Sequence, residues 1–570
     1  MPRAATRNER RTFRNDDLLL AIAPDVDKAV WNEDRYEGFL DALCGRREYQ
    51  KEAVRVALRY LRGGRYANLR ALAQENFNSR PTLADGYTTF ARMERSLQLP
   101  DQLSATLDLA TGTGKSFVLY ALAAILLADG AVDQVLVLCP STTIEDGLLT
   151  KFRELSARAD LRALLPADAV IATPNVIRAD ESIVRGSLCV ENFHAVLPAT
   201  GSSVRESLWT RGARTLVLND EAHHVATESD GVTRKWKDFL TDPAFAFRYV
   251  IGVSGTCYVK NDYFADVIYR YSLRQAIEDG VVKNVHYVAE SPRTGAPDEK
   301  WQIIRDQHEQ LKASLAPRSL VPLTIVITDR VDTAKRRAAA LKGFLQDTEK
   351  ISPAEADRRV LCVHNNAPDL TRLKYVDDPL SPVEWIVSVS MLNEGWDVKR
   401  VFQIVPDEER AFDSKLLISQ VLGRGLRVPN NWTGAQPEVL VFNHDAWAPR
   451  IQNLVNEVLE IENRLTCRVR DDSPYHFDLH GINYDRDLTP ASVRRPMDRP
   501  YTLFEKGYVD LASDQANETV SIEYVNAVSG ARQTRRATIH RDTFTPREIA
   551  EVMHVRMEQA YIPDDPDPRR

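Results

Sequence analysis

Residues 109–116 read Leu-Ala-Thr-Gly-Thr-Gly-Lys-Ser. A short apolar run, Thr106–Leu109, leads into them, and a helical pattern, Lys115–Leu127, leads away. A glycine-rich turn between a buried strand and a helix is the setting that a phosphate loop requires. Gly112 and Gly114 let the backbone close round an anion without Cβ clashes. The N–H groups of Thr111, Gly112, Thr113 and Gly114, with the positive end of the helix, are placed to hold a β-phosphate. In that role Lys115 reaches the β- and γ-phosphates and Ser116 ligates Mg²⁺, so a nucleoside triphosphate is the expected substrate. Leu109 stands where the general pattern has its first glycine. The plain alternative is a chance Gly-Lys-Ser at a helix start, and the flanking strand and helix argue against it.

A second chemical cluster lies in residues 215–224, TLVLNDEAHH. Leu216-Val217-Leu218 make a strand whose C-terminal end presents Asp220 and Glu221. Adjacent acids at a strand end can be a solvated turn. Paired with an upstream phosphate loop they become a hydrolytic set, in which Asp220 holds Mg²⁺ through water and Glu221 polarises the attacking water. One of the two following histidines, His223 in preference to His224, couples this end to the sheet behind it.

These residues need elements to hold them. Gln134–Pro140, Thr215–Asp220 and Arg248–Ser254 are short apolar, β-branched runs with the character of buried strands. Leu323–Thr328, Arg359–His364, Glu384–Val389, Arg400–Val405 and Glu438–Asn443 continue the series, with helices Arg47–Leu61 and Ser414–Leu422 among the intervening patterns. Strands alternating with helices predict parallel sheets covered on both faces. The strands fall into groups before about residue 275 and after about residue 320, so two α/β lobes in tandem are expected. The corresponding division is an N-terminal arm (1–44), lobe 1 (45–275, with a helical insertion at 63–102), lobe 2 (276–445) and a C-terminal α+β accessory region (446–570). In the last region Thr519–Val525 and Gln533–His540 pattern as a hairpin. Thr545 caps a following helix, Pro449–Leu465 forms a long helix, and the Pro/Asp-rich tail at 563–570 is expected to be disordered.

The 570 residues leave room for about three or four folding units. A hydrophobic share of 44% is ordinary for a globular protein. No apolar run reaches the roughly 20 residues of a membrane helix, and the start has no signal-peptide core, so a cytoplasmic location is expected. The six cysteines lack metal-ligand spacing and read as reduced thiols. A net charge of −7 leaves any nucleic-acid track to locally placed basic residues. The arginines at 3, 7, 10, 11 and 14 make a solvated arm, with backbone contact as the alternative.

Together these segments resemble superfamily 2 helicases of the Asp-Glu-Ala-His class, from about residue 45 to 445. The resemblance implies two RecA-like lobes with the ATP site between them. Arg47-Glu48-Tyr49-Gln50 resembles the adenine-reading element, with Gln50 pairing the base edge. Pro140-Ser141-Thr142-Thr143 and Ala172-Thr173-Pro174-Asn175 resemble strand-gripping motifs, in which Ser141, Thr142, Thr173 and Asn175 hold sugar-phosphate oxygens without reading sequence. Ser254-Gly255-Thr256 matches the motif linking hydrolysis to movement, through Ser254 and Thr256. Asn393-Glu394-Gly395-Trp396-Asp397 matches the fifth motif, with Gly395 and Asp397 at the nucleotide. Residues 420–427, QVLGRGLR, match the sixth. There Arg424 and Arg427 are candidate arginine fingers, and Gln420, one turn earlier, a γ-phosphate sensor.

Within the superfamily, residues 271–280 (YSLRQAIEDG), Glu-Gly-Trp-Asp and Gly-Arg-Gly-Leu-Arg are similar to the restriction subunit of type III restriction-modification enzymes. That implies duplex DNA as track, translocation rather than processive unwinding, and a role in defence against foreign DNA, with single-stranded DNA as the other nucleic-acid partner expected. Such subunits carry a C-terminal nuclease, and no convincing one is legible in 446–570. Pro406-Asp407 with Asp413-Ser414-Lys415 has the composition of one but falls between two motor motifs. Either cleavage resides on a separate chain, with a methyltransferase or other defence subunit as a further partner, or the protein is a motor without a nuclease. An RNA helicase or remodeller and an ATP-gated assembly switch are the competing readings.

Overall fold

The structure is a computed structural model. It describes residues 15–197, 203–226, 231–259, 262–288, 297–328, 330–364, 372–373, 375–378, 380–389, 398–407, 425–429, 432–442, 517–525 and 532–540. Two parallel sheets carry it, forming two RecA-like α/β lobes.

Lobe 1 opens with helices α1 (Glu37–Cys44) and α2 (Glu48–Arg62), then α3 (Leu69–Ser79), α4 (Pro81–Tyr87) and α5 (Phe90–Arg95). Its strands are β1 (Leu103–Leu109), β2 (Gln134–Cys139), β3 (Asn175–Ile177), β4 (Ser187–Asn192), β5 (Thr215–Asp220) and β6 (Tyr249–Ser254). A small hairpin, β7 (Tyr258–Val259) with β8 (Asp262–Tyr263), precedes β9 (Val267–Tyr271). The seven-stranded order is β3-β4-β2-β5-β6-β1-β9. Helix α6 (Lys115–Ala128) connects β1 to β2, and α7 (Thr142–Ala157) follows β2.

Why these segments are strands is visible in where their side chains go. Val135, Val137 and Cys139 of β2 join one apolar cluster, while Leu136 and Leu138 join the cluster on the opposite face. Side chains alternate across a strand, so a segment buried on both faces is mostly apolar, and the polar exception here, Gln134, donates to Thr215 Oγ1 at 2.8 Å. Helix α6 is likewise buried at every residue from Val118 to Ala128, which explains why its sequence has no polar face.

Lobe 2 contains β10 (Asn284–Val288), β11 (Leu323–Thr328), β12 (Val360–Val363), β13 (Trp385–Val389), β14 (Val401–Pro406) and β15 (Glu438–Phe442). The order is β10-β15-β14-β11-β13-β12, parallel throughout. Strands β3, β4, β9 and β10 were not anticipated from sequence. Glu191 and Asn192 in β4, and Tyr269-Arg270 in β9, interrupt the apolar run that marks a buried strand. Near the C-terminus, β16 (Asn517–Val525) and β17 (Arg532–His540) form the expected antiparallel hairpin. The helices expected at 449–465 and after Thr545, and the tail, lie outside the described residues.

The N-terminal arm needs correction. From Asn15 onward it is part of lobe 1: Leu20, Trp31, Tyr36, Phe39, Leu40 and Leu43 are buried in the lobe's core. Asn76 of α3 accepts from the Ala21 N–H and donates to its carbonyl, tying the segment to the helical insertion. The amphipathic face of α1 is the local reason. The arginines at 3–14 lie outside the described residues.

A buried polar network braces lobe 2. Glu384, at the start of β13, accepts from Lys312, Arg359 and His308, whose other ring nitrogen meets Thr324 Oγ1 at 2.8 Å. Burial works against the Glu384 charge, but His308, Arg359 and Lys312 outweigh it and hold the carboxyl down at about 2. The folded value is below the unfolded one, so this stability is present above the unfolded pKa and is lost as pH falls through about 2. The shift corresponds to roughly 3 kcal/mol. Unfolding midpoints followed from pH 5 to 2 should fall more steeply for the wild type than for Glu384→Gln; parallel curves would contradict this. His308, Glu309 and Glu384 lie close enough to suggest a cation site, but the ring nitrogens and the carboxylate of this set are engaged with protein partners.

Candidate nucleotide site

β1 ends at Leu109 and the chain turns through residues 110–114 into α6. Gly112 and Gly114 both take positive φ, +86° and +83°, which glycine adopts without steric cost. Thr113 braces the turn from inside, its hydroxyl donating to the Ala110 carbonyl at 2.6 Å. The loop amides thus gather at the N-terminus of a fourteen-residue helix, a site with positive character for an anion.

Lys115 begins the helix and meets Glu221 Oε1 at 2.5 Å, with its side chain only 12% exposed. Burial opposes its charge, but Glu221 and Asp220 together raise the ammonium above its ordinary value, while Arg427 pulls the other way. Asp220 closes β5 and is buried. Glu221 follows at φ +52°, a left-handed conformation costing roughly 1–2 kcal/mol in a residue with a Cβ. That turn directs its carboxylate back to Lys115.

Behind this pair sits a fully buried hydroxyl–imidazole cluster. His223 Nδ1 lies 3.1 Å from Ser254 Oγ and 3.0 Å from Thr256 Oγ1, and Ser254 Oγ donates to Glu221 Oε2 at 3.4 Å. β6 therefore reaches the acidic end of β5 through three side chains that the sequence reading had grouped as coupling residues. Gly255, between them, presses on the phosphate loop: a Cβ there would stand 2.8 Å from Leu109 O, Thr111 N and Thr111 Oγ1. Two of those atoms are backbone, so Gly255→Ala must displace the loop. A shift of this size can lower the rate by roughly 10²-fold, with the melting temperature held. Steady-state turnover beside a thermal melt checks it, and an unchanged kcat/KM would contradict it.

Gln50 is fully buried against the same loop. Its Nε2 donates to the Thr113 carbonyl at 2.6 Å, while Oε1 is buried without a hydrogen-bond partner. Tyr49, which the sequence reading passed over, also donates to the Thr113 carbonyl, at 2.9 Å, and stacks on Tyr271 with ring centroids 3.9 Å apart. Its signal was adjacency to Gln50.

From lobe 2, Arg427 arrives at this loop. A Cβ on Gly112 would lie 3.2 Å from Arg427 Cγ and 3.6 Å from Val282 Cγ1. The second lobe therefore supplies a guanidinium to the wall that carries Lys115. Gln420, Arg424, Gly395 and Asp397 lie outside the described residues. Ser116 is half-buried at the first turn of α6.

Of the strand-gripping candidates, Ser141 and Thr142 follow the C-terminal end of β2, the sheet edge that carries the phosphate loop, whereas Thr173 and Asn175 stand at the start of β3. Ser141 caps α7, accepting from the Ile144 N–H at 3.4 Å, and Thr142 beside it is exposed. Thr173 and Asn175 are exposed, with Arg162 donating to the Thr173 hydroxyl at 3.4 Å. Asp407, the acid of the nuclease-like Pro-Asp pair, ends β14 as a buried partner of Lys300 and Arg337. Asp413 and Lys415 lie outside the described residues.

Residues 44–259 match the family described as type III restriction enzyme, res subunit. Over that stretch the chain resembles the Res subunit. A curated relative, the type I restriction enzyme EcoAI endonuclease subunit of Escherichia coli, is 24% identical over 38% of this chain and 30% of its own length. The chain thus spans less than a third of that relative. Among solved structures, a fragment of an HsdR subunit of a type I restriction enzyme from Vibrio vulnificus YJ016 has TM-score 0.45 at 16% identity, covering 75% of this chain and 70% of that one. The ATP-dependent type ISP restriction-modification enzyme LlaBIII bound to DNA has TM-score 0.40 at 14% identity, over 62% of this chain and 28% of that one. The family match ends at Val259 and does not extend to the second lobe. Among the described residues no helix is long and apolar enough to cross a membrane.

Proposed function

We propose that the chain is a nucleic-acid-stimulated ATPase that translocates on DNA as the motor of a prokaryotic restriction or anti-phage system. The observation that carries this reading is Arg427 of lobe 2 beside Gly112 of the phosphate loop, with the Lys115–Glu221 pair on the same wall. A triphosphate bound there has a cation and an acid from one lobe and a guanidinium from the other. Cleft closure and hydrolysis then become one event, which is how a two-lobe motor converts chemistry into movement.

The residues fit ATP and Mg²⁺. The loop amides and Lys115 suit the phosphates, and Ser116 and Asp220 would hold the metal, which supplies charge neutralisation for the leaving phosphates. Glu221 orients and polarises the water. Its hydrogen bond from Ser254, shared with His223 and Thr256, ties that carboxylate to β6. Nucleotide arrival must draw Lys115 from Glu221 toward phosphate, freeing the acid for water. Arg427 then offsets charge on the transferring group. Gln50, whose buried amide oxygen has no hydrogen-bond partner, is the proposed reader of the adenine amino group. Ser141, Thr142, Thr173 and Asn175 are the proposed backbone contacts, and Gly395, Asp397, Gln420 and Arg424 complete the proposed cleft. A nuclease, methyltransferase or other defence subunit would act as partner, and the setting is cytoplasmic.

Turnover should rise with duplex DNA more than with single-stranded DNA or RNA. Stimulation by RNA alone would transfer the reading to an RNA motor. Glu221→Gln should bind nucleotide yet stop both hydrolysis and translocation. A variant that keeps its biological action would instead mark an ATP-gated switch.

A further inference from the structure

We propose that Lys283 is a positioning residue for Arg427, pinning the peptide that carries the arginine finger beside the phosphate loop. The inference rests on the nucleotide-site reading above. Lys283 lies between the last helix of lobe 1, Leu273–Glu278, and β10. Its side chain is fully buried. Nζ donates to the carbonyls of Lys399, Val401 and Gly425 at 2.7, 2.5 and 3.1 Å. An ammonium carries three N–H donors, and three carbonyl oxygens receive them. The Phe402 ring, with its centroid 4.3 Å from Nζ, adds a further contact that favours a cation.

The main chain of the same residue makes a fourth tie: its N–H donates to the Leu426 carbonyl at 2.7 Å. Lys283 thus holds the two successive carbonyls immediately before Arg427. Gly425 is seated against β14, where a Cβ would meet Ile404 Cδ1 at 2.5 Å. The preceding residue, Val282, faces Gly112 itself. A second tie holds the same junction: Gln436 Nε2 donates to the carbonyls of Ile277 and Val282 at 2.8 and 2.6 Å. One dipeptide therefore touches the phosphate loop with its first residue and grips the finger-bearing peptide with its second.

Burying an amine is unfavourable unless its donors are used. A leucine or methionine would fill this space without that cost. What the amine adds is directional hold on three carbonyls from two segments, the start of β14 and the 425–427 peptide. Burial pushes the ammonium well down from its ordinary range, and after losing one proton the amine still keeps two donors for these oxygens. In the sequence the only sign was a lysine directly behind Val281-Val282 at a strand start.

The test is a double-mutant cycle in the full chain at saturating duplex DNA, with Lys283→Met, Arg427→Ala and the pair together. Lys283→Met should lower kcat by roughly 10²-fold, as expected for a displaced catalytic group, while the Kd for a non-hydrolysable ATP analogue stays within about threefold. In the Arg427→Ala background it should have no further effect. Lys283→Gln, which restores two N–H donors, should recover part of the rate at an equal melting temperature; if the methionine variant fails to fold, the glutamine variant carries the cycle. The proposal is overturned if Lys283→Met turns over normally, if its loss multiplies with that of Arg427→Ala, or if glutamine does no better than methionine. A wild-type rate for Arg427→Ala alone would remove the nucleotide-site reading as well; a slow Arg427→Ala with independent losses removes only the role of Lys283.

Discussion

Lys115→Ala should reduce ATP hydrolysis to background and weaken nucleotide binding. The side chain does two things in this structure. It supplies the cation at the mouth of the phosphate loop, and it neutralises Glu221 and Asp220 behind it. Truncation removes both at once. The loop amides would still attract an anion, but a polyphosphate would now approach two carboxylates with no intervening charge. Removing one preorganised donor from a charged site costs about 10²–10³-fold in rate, and the loss of a full cation places this variant at or beyond that range. Lys115→Arg should not rescue, because a planar fork cannot follow the phosphates in the space of a compact ammonium. The measurement is phosphate release beside analogue binding in purified protein with an unchanged melting temperature. A rate within tenfold of wild type would remove the phosphate-loop assignment.

Arg427→Ala should leave nucleotide binding nearly intact and lower kcat by about 10³–10⁵-fold, the range known for arginine fingers in phosphoryl transfer. The reasoning depends on when the contact is made. A group that meets charge developing only in the transition state changes kcat, whereas one that holds the ground state changes KM. Arg427 comes from the opposite lobe, beside Gly112 rather than within the loop. In the proposed mechanism it acts on the transferring group rather than in initial capture. Lys115→Ala and Arg427→Ala should separate cleanly on this axis, the first raising Kd and the second leaving it alone. If Arg427→Ala instead weakened analogue binding with kcat preserved, the guanidinium would be a ground-state phosphate ligand, and the two-lobe hydrolytic mechanism would fail.

The candidate site of lobe 1 was legible in the sequence because its residues are local. The loop Ala110–Gly114 needs glycines at two positive-φ positions and a lysine at the first helical turn, and all are adjacent along the chain. Asp220 and Glu221 announce themselves by ending an all-apolar strand. Strands buried on both faces are mostly apolar, so β2, β5, β11 and β13 were also readable. Where a strand carries its polar residues inward, as β4 does with Glu191 accepting from the Ala179 N–H at 2.6 Å, the apolar signal is broken and the strand is missed.

What only the tertiary structure decided is which distant residues share a surface. That Gly255 bears on Thr111, that His223 meets both Ser254 and Thr256, and that Arg427 lies over Gly112 depend on strand order and on how the lobes face each other. Lys283 shows the limit most plainly: its acceptors are backbone carbonyls, present at every residue and carrying no sequence signature. Residue types fix which chemistry is available, but a carbonyl gains a role only when folding turns it toward a donor, and that direction is written in the packing of the whole chain.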